Sequence, residues 1–111
     1  IRWFINVIEK TIIQTLSDFN ITSKADKKDI GIWVKLNNKE GKIASIGIKI
    51  KKWVAYHGFA LNYSVNIEKF KKIIPCGIKN KKIINIIDIN KSNFNSLRNK
   101  LIKYFIYNLN N

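Results

Sequence analysis

The sequence predicts an α+β domain: an antiparallel or mixed sheet packed by helices. Three observations carry this. Apolar residues recur at helical spacing at both ends of the chain, β-forming runs fill the middle, and turn residues separate those runs. At 111 residues the chain holds one core, with no linker or repeat to divide it.

The first element is a helix. Ile1, Ile5, Ile8, Ile12, Leu16 and Phe19 recur at steps of three and four, one apolar stripe ending near Asn20. Thr22 to Asp29 is polar and reads as a loop. Ile30 to Leu36 (IGIWVKL) and Lys42 to Ile50 (KIASIGIKI) are strands around the turn cluster Asn37 to Gly41, so they form a hairpin. Trp53 to Val65 is a third strand, with a bend expected at Gly58. Ile67 to Lys72 is a helical turn, and Pro75 and Gly77 make Ile73 to Ile78 a loop. Ile83 to Ile89 suits a short strand or a helix equally. Phe94, Leu97, Leu101 and Phe105 space a C-terminal helix, with Ser92 as its N-cap.

Composition excludes several classes. The chain is 46% apolar, which argues against disorder, and no apolar run approaches the roughly 18 residues of a membrane span. One Cys and one His make a zinc site improbable and an internal disulfide impossible. A reducing compartment is therefore the default. The net charge of +14 favours acidic partners. Nucleic acid is a weak candidate, because only Arg2 and Arg98 are Arg and the rest of the positive charge is Lys. Ile, Lys and Asn supply 57 of the 111 residues, a bias that A/T-rich codons also produce. The absence of Met from a chain opening on Ile1 suggests a portion of a longer protein.

Strand alternation sorts the candidate residues. Lys42 shares parity with Ala44, Ile46, Ile48 and Ile50, which places it on the apolar face. A desolvated lysine there would have its pKa lowered; the bland alternative is a strand-end lysine whose ammonium reaches water. Ser45, Gly47, Gly58 and Ala60 are small and fall on neighbouring strands, where a ligand can lie close to the backbone. Cys76 is either a small buried apolar residue or a nucleophile activated by a nearby cation. His57 falls on the apolar face of its strand, which favours a structural imidazole. Asn20-Ile21-Thr22 and Asn62-Tyr63-Ser64 match a glycosylation pattern that is common by chance.

Lys42 to Gly47 (KIASIG), Tyr56 to Asn62 (YHGFALN) and Pro75-Cys76-Gly77, in this order and spacing, resemble the lipoyl(octanoyl) transferases, with Gly31-Ile32-Trp33-Val34 in keeping. The likeness runs from Ile1 to about Ile78. It implies a fold related to the catalytic domains of biotin ligases and lipoate ligases. It also implies an enzyme that moves octanoyl from octanoyl-acyl carrier protein to a lysine of a lipoyl domain, in a 2-oxoacid dehydrogenase or the glycine cleavage H protein. No cofactor is implied. By this resemblance Cys76 is the nucleophile and acyl carrier, and Lys42 lowers its pKa and shuttles the proton. Ser45, Ile46, Gly47, Gly58, Phe59 and Ala60 contact the acyl chain, and His57 has a positioning role. The two protein substrates are typically acidic, which suits the Lys-rich surface.

The family also carries an Arg-Gly-Gly and a His-Gly-Pro-Gly-Gln stretch upstream, and neither occurs here. Residues 1–111 are therefore expected to be the C-terminal portion of a single catalytic domain, less stable and less active alone than a longer protein with both stretches. A bacterial cytoplasm, or an organelle of bacterial descent, is the expected location. The competing expectation is an inactive remnant that only binds acidic proteins or nucleic acid.

Overall fold

The computed structural model describes residues 1–51, 54–64, 83–90 and 94–111. Its first element follows from the apolar stripe. Helix α1 runs Arg2–Asp18 and buries Ile8, Ile12 and Leu16 almost completely. It stops at Asn20, whose positive φ of 62° is a left-handed conformation that Asn tolerates. The Ile21 N–H donates to the Leu16 carbonyl and the Asn20 N–H to the Ser17 carbonyl, each at 2.9 Å. This pair of bonds satisfies helix-end carbonyls and turns the buried Ile21 back onto Leu16.

Four antiparallel strands follow, in the spatial order β1-β2-β3-β4: β1 Lys24–Ala25, β2 Gly31–Leu36, β3 Lys39–Lys51 and β4 Val54–Leu61. The two-residue β1 lies inside the stretch expected to be a loop. Its side chains are exposed, so no hydrophobic pattern announces it. The β2–β3 hairpin is tighter than the turn cluster suggests. Asn37 and Asn38 both have positive φ (54° and 64°), so two residues make the turn and β3 begins at Lys39. The third strand is observed over Val54–Leu61; Trp53, Val65, the segments 67–72 and 73–78, and Ser92 lie outside the described residues.

The segment read as strand or helix contains a single bridge followed by a short helix. Ile83 makes a parallel bridge to Lys42, and α2 runs Ile86–Ile89. Helix α3 runs Leu97–Leu109 with Ser96 at its N-cap, so it starts later than expected. Phe94 precedes it and is buried, with its ring 4.7 Å from Phe19 and 5.8 Å from Tyr63. Burial of that ring, not helical spacing, explains the apolar residue at this position.

Helix α1 lies between the sheet and α3. Ile8, Ile12 and Leu16 join Ile32, Ile43 and Ile86 in the core. Each such side chain contributes about 1.5–3 kcal/mol through burial. Thr11 and Thr15 are also fully buried, and their hydroxyls donate to the carbonyls of Val7 and Thr11, each at 2.8 Å. Towards α3, Asn108 donates to Thr11 and Gln14, while Asp18 accepts from Lys100 and Tyr104.

Candidate functional site

The site is set by one irregularity. Ile32 pairs with Ala44, but Trp33 pairs with Lys42, so Ile43 is an extra residue in β3. A bulge of this kind breaks the alternation of the strand and re-aims the side chains beside it. Ile43 and Ala44 are both fully buried in the core. Lys42 is thereby turned onto the face of Ser45 and Gly47, away from Ala44, Ile46 and Ile48. This corrects the reading by simple alternation, which placed Lys42 on the apolar face.

Lys42 is held on all sides. Its Nζ donates to Asp29 Oδ1 at 3.0 Å and to the Ile30 carbonyl at 3.2 Å, and sits 5.2 Å from the centre of the Trp33 ring. The side chains of Lys42 and Asp29 are 19% and 23% exposed, so this is a paired charge, not a lysine in dry apolar surroundings. The lysine stem crosses Gly31. A Cβ there would lie 2.9 Å from Lys42 Cε and 2.8 Å from the Ala44 carbonyl, so only glycine leaves room. The Trp33 indole donates to the Asp29 carbonyl at 3.1 Å, which fixes the turn that presents the acid.

The backbone of Lys42 is pinned as firmly. Its carbonyl accepts from the Ile84 N–H at 3.0 Å and from Asn62 Nδ2 at 3.2 Å. The Asn62 N–H donates to the Ile43 carbonyl at 2.8 Å. Asn62 is buried, so its amide has a structural task that a surface glycosylation motif would not give it. Ile83 and Ile84, which follow Cys76 in the sequence, lie alongside Lys42.

Beyond the bulge the ladder brings the small residues together. Ser45 pairs with Ala60 and Gly47 with Gly58, and residues directly opposite share a face. Ser45, Gly47 and Ala60 are exposed. Among the described residues, nothing lies within 4 Å of a Cβ added at Gly47 or Gly58. The result is an open trough with backbone as its floor and Lys42 at one end. Ile46 and Phe59 pair with each other on the opposite face, so the six expected acyl-contacting positions divide four to two. His57 pairs with Ile48, and its side chain lies outside the described residues, as does Cys76.

The sequence reading missed Asp29 and the part played by Asn62, and it did not explain Gly31 and Trp33. Only seven acids occur in the chain, and the one immediately before a strand rich in β-formers was the available signal for Asp29. A second groove of about 540 Å³ runs along the β1 edge, lined by Trp33 and by residues including Ile21, Ser23, Lys35 and Ile89. None of the expected site residues lines it.

Comparison with known proteins matches residues 1–106 to a family described as the lipoyl protein ligase A/B catalytic domain. Similar proteins are named octanoyltransferases. One from Prochlorococcus marinus subsp. pastoris is 41% identical over 107 residues, which is 96% of this chain and 48% of the relative. One from Zymomonas mobilis is 45% identical over 78 residues, 70% of this chain and 36% of the relative. One from Rickettsia rickettsii is 41% identical over 87 residues, 78% of this chain and 42% of the relative. The chain thus spans less than half the length of these relatives.

Proposed function

The chain belongs to the lipoyl protein ligase A/B catalytic-domain family, and from that premise we propose that it is part of a protein octanoyltransferase of lipoate synthesis. The observation that carries the reading is the trough of small residues with the Lys42 ammonium fixed at its end. A floor without side chains accepts an extended octanoyl chain against the backbone, and a cation beside it stabilises a thiolate.

In the proposed reaction the Cys76 thiolate attacks the thioester carbonyl of octanoyl-acyl carrier protein. A carbon–sulfur bond forms to Cys76, the bond to the carrier breaks, and the carrier thiolate takes up a proton. The ε-amine of a lipoyl-domain lysine then attacks the Cys76 thioester. An amide forms, the amine gives up a proton, and the Cys76 thiolate is restored. Lys42 is the group that gives and takes these protons. His57 has a positioning role. The thioester is already activated, so no nucleotide is consumed. The net charge of +14 suits two acidic protein substrates. We place the reaction in the bacterial cytoplasm.

The test is to incubate the complete protein with octanoyl-acyl carrier protein and measure its intact mass. The reading expects one octanoyl group on Cys76, transferred on addition of a lipoyl domain and absent from Cys76→Ser. Normal transfer by Cys76→Ser would overturn it. Salt-sensitive RNA binding with no acyl adduct would favour the binding-only alternative.

A further inference from the structure

Lysine has a flexible four-carbon stem and loses rotamer entropy when held in one geometry. A lysine that gives and takes protons beside a reacting thioester must nevertheless be held. Among the described residues, the groups that hold the Lys42 side chain come from one short stretch of chain. Asp29 Oδ1 and the Ile30 carbonyl accept from Nζ, Gly31 gives passage to the stem, and the Trp33 ring lies under the charge. Trp33 also donates back to the Asp29 carbonyl, which closes the stretch into a socket. Asp29 is the ionisable member of this socket.

We propose that Asp29 is a positioning residue for Lys42: its carboxylate holds the ammonium at the end of the trough in the orientation from which it serves Cys76. The inference rests on the octanoyltransferase reading and goes beyond it, because it assigns a role to a residue outside the resembling motifs. Asp29 touches neither substrate nor Cys76 in this role; it acts through Lys42. Its loss should therefore affect turnover and leave carrier binding alone.

The experiment uses the complete protein and steady-state transfer from octanoyl-acyl carrier protein to a lipoyl domain. Asp29→Asn is expected to lower kcat by about 10–100-fold, the scale of a catalytic group displaced by an ångström, with KM for the carrier within about twofold of wild type. Asp29→Glu, which keeps the carboxylate, is expected to recover most of the rate. The double variant Asp29→Asn/Lys42→Met is expected to be no slower than Lys42→Met, because Asp29 has nothing left to position. An unchanged kcat in Asp29→Asn would overturn the proposal. So would a further loss in the double variant, or a loss in Asp29→Asn that tracks unfolding and is not recovered by Asp29→Glu. If wild-type protein forms no octanoyl adduct, the enzyme reading and this proposal fall together. If the adduct forms and Asp29→Asn matches wild type, only this proposal falls.

Discussion

The two faces of the sheet solve opposite problems with the same strands. One face is filled: Ile32, Ala44 and Ile46 meet the apolar stripe of α1, and the gain is stability. The other is emptied: Ser45, Gly47, Gly58 and Ala60 leave the backbone bare, and the gain is room. The bulge at Ile43 lets one strand serve both. It keeps Ile43 and Ala44 in the core while sending Lys42 to the open side. The difference teaches that a substitution on the filled face is felt in folding, whereas one on the open face spares the fold and tests the proposed chemistry.

The largest expected effect breaks the filled face. Ile12→Ala should cost about 2–5 kcal/mol of stability, because a fully buried side chain leaves a cavity between α1 and the sheet. Urea unfolding of the chain measures it; a cost below about 1 kcal/mol would show that α1 is not the cover of this core. Next, Gly47→Val sharpens the contrast. A valine fits a strand and meets no atom of the described residues, so the unfolding midpoint should stay within about 0.5 kcal/mol of wild type. Octanoyl transfer by the complete protein should nevertheless fall by at least about tenfold, since the floor of the trough is filled. Asn62→Ala stands between the faces. It removes the amide bond to the Lys42 carbonyl and should cost about 1 kcal/mol, read by the same unfolding curve.

The smallest effect lies away from both faces, where α3 meets α1. Hydrogen bonds from Tyr104 and Lys100 hold the Asp18 carboxyl below its ordinary value of 3.8. The bond to Asp18 in turn raises the Tyr104 phenol above 10.0. A depressed carboxyl contributes stability that is present above pH 3.8 and lost as pH falls through the lower folded value. A raised phenol contributes stability that is present below pH 10.0 and lost as pH rises through the higher folded value. Asp18 is exposed and Tyr104 half-buried, so solvent screens the pair and the effects are small. Thermal melts across pH should show Asp18→Asn with a shallower loss of Tm on both limbs than wild type; parallel curves would remove the clamp from the account.

Much of this architecture was legible in the residues. The α1 stripe, the hairpin and the third strand all follow from apolar period and turn chemistry, because burial on one face imposes those periods. The bulge was not legible. Alternation assumes an unbroken ladder, and one extra residue reverses parity for everything beyond it. Lys42 was therefore found by its motif and placed on the wrong face by its spacing. Asp29 was hidden for a different reason. Its bond to Lys42 spans 13 residues and depends on Gly31 and Trp33 to shape the approach, which no local pattern encodes. The small residues were legible as a group, since Ser45 and Gly47 share parity, as do Gly58 and Ala60. Only the register showed that the two pairs sit directly opposite.

Lys42, turned to the open face by the bulge, is proposed to serve Cys76 in acyl transfer. This role is tested most directly by single-turnover acylation of the complete protein, comparing wild type with Lys42→Met under conditions where both are folded. An octanoyl thioester is expected on Cys76 in the wild type, formed at least about 100-fold more slowly in the variant, because a positioned proton-transfer group is removed. Equal rates in the two proteins would contradict it.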